Sequence, residues 1–201
     1  MNESIQKIQE GIIEGRHREI ESLVREIQEG LIAAMNVVGQ KFSDGEIFVP
    51  EMMVSAMTMK LGLNIVKPLL TGKAGAPKGT VLMGTVKGDL HDIGKNIVVM
   101  MLEGAGFQVI DLGVDIDVEK VVATVAEIHP QVLGLSALLT TTMPEMKRVI
   151  EELRARGLRD RVKVMVGGAP VDAAFAEKIG ADGYGRDAVQ AVALARSFVG
   201  H

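Results

Sequence analysis

The chain has 201 residues, 47% apolar and 24% charged, the balance of a globular protein with one large domain or two small ones at ~150 residues each. A net charge of −4 and a pI near 5.6 exclude the basic footprint of a nucleic-acid binder. The absence of cysteine excludes disulfides, thiolate-held zinc, iron–sulfur clusters and thiol catalysis.

The start, MNESIQKIQEG, has neither the basic nor the apolar region of a signal peptide. The longest apolar run, Ile97 to Leu102, is six residues, against the ~20 that cross a bilayer. A cytoplasmic protein that binds neither nucleic acid nor membrane is expected. Aromatic residues make up 3% of the chain and tryptophan is missing, while methionine numbers twelve. The core must therefore be aliphatic and rich in Met.

From Ile5 to about Leu70 the apolar spacing is helical. Ile20, Leu23, Val24, Ile27 and Leu31 recur at steps of three and four, which stacks them on one face. Gly30 and Ser43-Asp44-Gly45 punctuate the region, and Pro50 stands where a first helical turn tolerates it. Four helices are predicted, over about 3–14, 16–29, 31–42 and 50–70, forming a small bundle over residues 1–72. Met52, Met53, Met57 and Met59 in the last of them read as adaptable core packing.

The stretch Thr71-Gly-Lys-Ala-Gly-Ala-Pro-Lys-Gly79 breaks all periodicity, and a linker is expected at 73–79. Beyond it, over 80–201, β-branched runs alternate with helical segments. The runs are Val81–Val86, Phe107–Leu112, Val132–Ala137 and Lys163–Gly168, with a weaker one at Ala181–Tyr184 and a last helix after Asp187. This βαβα rhythm predicts an α/β domain: a flavodoxin- or Rossmann-like, doubly wound, five-stranded parallel sheet. Such sheets bind ligands beyond the carboxyl ends of their strands.

At that edge, after the first strand, lies Gly84-Thr-Val-Lys-Gly-Asp89-Leu-His91-Asp-Ile-Gly94-Lys-Asn96. Glycines at 84, 88 and 94 do not make a dinucleotide fingerprint. It is not a P-loop either, because five residues separate Gly88 from Gly94 and Asn96 replaces the hydroxyl that holds magnesium. What remains is a carboxylate two residues before a histidine. In an extended loop residues i and i+2 point the same way, so Asp89 can hold one nitrogen of His91 and leave the other for a metal. The alternative is a helix-capping Asp beside an incidental His. The other histidines, His17, His129 and His201, offer no second nitrogen nearby. A metal at His91 must bring its remaining ligands in a macrocycle.

The pattern D-x-H-x-x-G at Asp89, His91 and Gly94 resembles that of the corrinoid (vitamin B12) binding proteins. Ser136-Ala-Leu138, at the end of the third strand, resembles their S-x-L motif, and Gly167-Gly168, at the end of the fourth, their double glycine. The resemblance implies a cobamide bound base-off and His-on: His91 on cobalt as lower axial ligand, the nucleotide tail drawn past Ser136, Gly167 and Gly168. It places Gly88, Leu90, Asp92, Ile93, Leu138 and Thr140 around the cofactor. It also puts Thr142 where related domains carry a hydroxyl that completes a relay with Asp89 and His91. Read alone, the glycine pair suits a strand-to-helix turn, and Thr140, Thr141 or Thr142 suits the N-cap of a helix starting near Met143-Pro144.

The segment Val38 to Pro50 is similar to the helical cap beside the corrinoid domain of methionine synthase and of methylamine, methanol and O-demethylation corrinoid proteins. Phe42 and Val49 match the residues that shield the upper face of cobalt there; as residues of a bundle they also suit its core. The resemblance implies a carrier that takes a methyl group on cobalt(I) from a substrate-specific methyltransferase. It then donates the group from methyl-cobalt(III) to an acceptor methyltransferase serving tetrahydrofolate or coenzyme M, and a reductive activase maintains it. A substrate barrel alone needs ~250 residues, so these partners are expected to be separate polypeptides. Two alternatives share the sheet domain: a cobalamin-dependent sensor, which the missing tryptophan disfavours, and the small subunit of an adenosylcobalamin mutase, which generally lacks the G-E-x-F-x-P cap.

Overall fold

A computed structural model describes residues 30–31, 33–42, 44–66 and 77–200. The chain divides into two compact units, Met1–Ala76 and Pro77–His201. The predicted helices at 3–14 and 16–29 and most of the predicted linker lie outside the described residues.

In the first unit, helix α1 runs over 33–42 and α2 over Val49–Val66. Between them Gly45 takes φ +74°, and the Asp44, Gly45 and Glu46 amides donate to Gln40, Phe42 and Lys41 carbonyls of α1. These bonds satisfy the carbonyls a helix end leaves open. The Glu51 side chain reaches back to accept from the Phe48 amide at 3.1 Å, which starts α2 with Pro50 in its first turn. Met52, Ala56 and Met59 are buried, at steps of four and three. Met57 is exposed, because it falls on the opposite side of the same helix; it is not core.

The second unit carries five strands: β1 Thr80–Thr85, β2 Gln108–Asp111, β3 Val132–Ser136, β4 Lys163–Gly167 and β5 Gly183–Tyr184. They pair in the order β2-β1-β3-β4-β5, all parallel. The helices between and after them are α3 Ile93–Gly104, α4 Val118–Ile128, α5 Met143–Ala155, α6 Ala173–Ile179 and α7 Ala188–Val199. This is the doubly wound sheet the sequence predicts. Its strands read as unbroken apolar runs because both faces are covered.

On one face Leu82, Leu133, Leu135, Val164 and Val166 pack with Val121, Val125, Met146, Ile150 and Leu153 of α4 and α5. On the other, a Cβ on Gly134 would run into the Met83 and Met165 side chains from the strands beside it, and one on Gly183 would meet Leu194 and Phe198 of α7. Asp172 and Asp187 cap α6 and α7 by accepting from the Phe175 and Gln190 amides. His129 ends α4 in the left-handed region, a role of chain reversal before Pro130. No helix among the described residues is long and apolar enough to cross a membrane.

Candidate functional site

The carboxyl ends of β1, β2 and β3 present three loops, and the side chain that ties two of them together is Asp89. It is fully buried. Its Oδ1 accepts from the His91 amide at 3.1 Å and lies 2.7 Å from His91 Nδ1. Its Oδ2 accepts from the Leu138 and Leu139 amides at 2.7 and 3.3 Å and from Thr142 Oγ1 at 2.7 Å. Burial by itself would push the Asp89 carboxyl up. Hydrogen bonds from Thr142, Leu138 and His91 outweigh it and hold the group well below the usual carboxylate range.

An ionised Asp89 keeps the proton of a neutral His91 on Nδ1, which leaves the Nε2 lone pair as the available one. The His91 side chain is 51% exposed, and its backbone carbonyl accepts from the buried Thr85 hydroxyl at 3.0 Å. Asp89 caps no helix. Asp92 stands at the start of α3 without a side-chain cap bond and accepts from Asn96 instead. Thr142 likewise stands at the N-cap of α5 without capping it, its hydroxyl being directed to Asp89. Thr140 is exposed in the same turn.

The surroundings of His91 are unusual for a surface loop. Leu90 is 72% exposed and Ile93 70%, and Leu138 and Leu139 are exposed as well. Four large exposed aliphatic side chains, three on the two loops that Asp89 joins and Ile93 at the start of α3, mark a surface made to be covered. Gly94 has open space where a Cβ would stand, while Gly88, at φ +79°, turns the chain into Asp89. Farther along the edge, β3 and β4 end close together: the Ala137 amide donates to Gly167 O at 3.2 Å. Gly168 takes φ +135°, and a Cβ there would run into the Ala137 carbonyl; one on Gly167 would lie 2.8 Å from Gly185 O. Ser136 is half-buried at the end of β3.

A flat, largely apolar ring carrying a metal ion at its centre fits these residues: one open imidazole nitrogen, aliphatic side chains around it, and small residues along the edge. Among the described residues no group of three or more His, Asp or Glu side chains is placed to hold an ion unaided. Phe42 and Val49 belong to the first unit, as the last residue of α1 and the first of α2, both half-buried.

Residues 79–193 match the family described as "B12 binding domain", and residues 4–67 match a second family of the same description. The chain is 47% identical over 181 residues to a corrinoid protein of Desulfitobacterium hafniense strain Y51, covering 89% of this chain and 84% of that one. It is 47% identical over 174 residues to the dimethylamine corrinoid protein of Methanosarcina barkeri, covering 86% and 82%. A chain in the crystal structure of the methanol:cobalamin methyltransferase complex from Methanosarcina barkeri superposes with a TM-score of 0.78. The identity is 32%, with 99% of this chain and 80% of that one covered.

The chain belongs to the B12-binding corrinoid proteins.

Several residues that build the site of this corrinoid protein escape a reading of its sequence. Lys95 is buried in the first turn of α3, with Nζ 2.5 Å from Asp111 at the end of β2 and 2.8 Å from Asn96 Oδ1. A lysine on the buried side of an apolar helix is a visible anomaly, but its partner, sixteen residues on, is not. Thr85 looks like one more β-branched strand residue. Asp115, in the loop after β2, lies 27 residues from the amide it holds.

Proposed function

We propose that this corrinoid protein is the methyl-carrying subunit of a methyltransferase system. It takes a methyl group from a substrate-specific methyltransferase and passes it to a second one specific for the acceptor, with a reductive activase as third partner. The observation that carries the reading is the Asp89–His91 pair at 2.7 Å, which leaves one nitrogen for a metal at the ligand edge of the sheet. Relatives 46–47% identical are named as dimethylamine and trimethylamine corrinoid proteins, which supports a carrier of this class.

Bound at His91, a cobamide would supply a cobalt centre able to take up and release a methyl group. His91 Nε2 would hold its metal in place of the cobamide's own base. Asp89 would hold the proton on Nδ1 and so leave Nε2 free for the metal. Thr142 and the Leu138 amide keep Asp89 ionised. Leu90, Ile93 and Leu138 exclude water beside the imidazole. Gly88, Asp92, Gly94 and Thr140 shape the loops around it, and Ser136, Gly167 and Gly168 leave room for the nucleotide tail. By the resemblance of their segment to the helical caps, Phe42 and Val49 are the residues of the helical unit that would shield the metal.

The test is the electron paramagnetic resonance spectrum of the one-electron-reduced protein loaded with hydroxocobalamin. With 15N-histidine label the axial nitrogen splitting is expected to change from three lines to two, and in His91→Ala it should revert to that of the free cofactor. A splitting indifferent to the label, or unchanged in His91→Ala, rules out this ligation. Corrinoid extracted from the native protein is expected to carry methyl; an adenosyl group would favour the mutase reading.

A further inference from the structure

The loop after β2, residues 112–117, is hydrogen-bonded to the loop that carries Asp89 and His91. Thr85 donates its amide to Gly113 O at 3.0 Å, and Ile116 donates to Thr85 O at 3.1 Å. These bonds extend the parallel ladder by the Val86–Ile116 bridge. Buried Lys95 and the Gly113 amide both bond the Asp111 carboxylate, one on each oxygen, and so hold the root of this loop. At its tip Asp115 adopts φ +53°, a left-handed conformation that among residues with a Cβ is easiest for Asn and Asp. In that pose it bonds the site loop twice. Its amide donates to Asp89 O at 3.0 Å, and its Oδ1 accepts from the Gly88 amide at 2.8 Å.

These two bonds bracket the Cα of Asp89. Asp115 holds the peptide entering Gly88 through the Gly88 amide and the peptide after Asp89 through the Asp89 carbonyl, while the peptide between them is held by the Asp89 amide bonded to Val86 O at 3.1 Å. With both flanking peptides held, the direction of the Asp89 Cα–Cβ bond is set, and only two side-chain torsions remain to aim the carboxylate at His91 and Thr142. We propose that Asp115 is a positioning residue for the metal-binding imidazole: by bracketing Asp89 it decides which tautomer and orientation His91 presents. Asp115 bonds the backbone of the site loop and not the imidazole. Lys87 pairs with both Asp115 and Asp117 at 3.3 and 3.2 Å, but these side chains are largely exposed and such pairs contribute little. The acceptor oxygen and the left-handed backbone carry the effect, not the charge.

The inference rests on His91 as the ligand proposed above, and it is tested where no cofactor is needed. Nitrogen chemical shifts of His91 in 15N-histidine-labelled apoprotein, at about pH 9 where a free imidazole is neutral, report the tautomer. The wild type is expected to show the Nδ1–H form alone. Asp115→Gly relaxes the backbone but removes the acceptor, so a mixture of tautomers is expected, with hydroxocobalamin affinity about tenfold weaker, the size usual for loss of an outer-shell partner. Asp115→Asn keeps both acceptor and left-handed preference and is expected to retain the wild-type tautomer and affinity. Lys87→Ala, which leaves the bond to Gly88 in place, is expected to do the same.

A single Nδ1–H tautomer in Asp115→Gly overturns the proposal. So does an Asn or Lys87→Ala variant as impaired as the Gly variant. A tautomer that responds to Asp115→Gly upholds it even where His91→Ala leaves the cofactor's spectrum unchanged, a result that would overturn the proposed ligation alone.

Discussion

Replacing Asp89 by Ala is expected to cost about 3 kcal/mol of folding free energy, because it removes the charged acceptor shared by several donors, of which only the Thr142 hydroxyl has another within reach, the Leu139 carbonyl at 2.9 Å. The Leu138 amide, the Thr142 hydroxyl and the His91 amide all bond this carboxylate. Asp89→Asn keeps the volume but must turn an NH2 toward donors on one side or the other. If the NH2 faces the ring, it bonds a lone pair on Nδ1 and drives the proton to Nε2, the nitrogen that a metal needs free. The variant is therefore expected to fold, less stably, and to bind hydroxocobalamin weakly.

The pH dependence follows from the direction of the shift. The folded carboxyl sits below its usual range, so its stabilisation is fully present above the unfolded value of about 4. It is lost progressively as pH falls through the folded one. Urea unfolding of wild type and Asp89→Asn should show a gap that is constant from pH 7 to about 5 and about 1 kcal/mol smaller at pH 3. A gap that widens in acid would contradict the assignment of Asp89 as an ionised, hydrogen-bonded centre.

Gly168→Ala is expected to be comparably severe, at roughly 3 kcal/mol, because two effects coincide. The backbone takes φ +135°, and the added carbon would strike the carbonyl of Ala137 rather than a side chain able to rotate away. Relief requires the end of β3 to move. The same segment carries the Leu138 amide that bonds Asp89, so damage at the glycine should reach His91. Gly94→Ala is the informative contrast. Nothing lies within 4 Å of a Cβ there, and Gly94 is in a helix, where alanine is favoured by about 0.5–1 kcal/mol. Its melting temperature should hold or rise while affinity for hydroxocobalamin falls, since the space it fills is the space assigned to the ligand. Unchanged affinity in Gly94→Ala would remove that glycine from the site.

The strands were legible because a parallel sheet covered on both faces needs uninterrupted β-branched runs, and each observed strand lies within its predicted run to about a residue. The i, i+2 spacing of Asp89 and His91 was legible for a related reason: an extended loop puts both side chains on one side, a rule local to three residues. Met57 shows where local reading fails. Helical composition makes it look like core, and only its angle around α2, against Met52 and Met59, sends it outward.

Composition and periodicity alone determined an aliphatic α/β domain behind a helical segment, with no thiol chemistry and one histidine at the ligand edge of the sheet. Residue pattern by itself left Thr140, Thr141 and Thr142 equivalent, only the family resemblance singling out Thr142, and it gave no sign that Asp115 or Asp111 belongs to the site. Those choices were made by the tertiary structure. Asp89 selects Thr142 from across 53 residues of chain, and Lys95 selects Asp111 from across sixteen. A buried carboxylate or ammonium must be satisfied by whatever donors and acceptors the fold brings within about 3 Å, and that distance is set by how strands lie side by side, not by spacing along the chain.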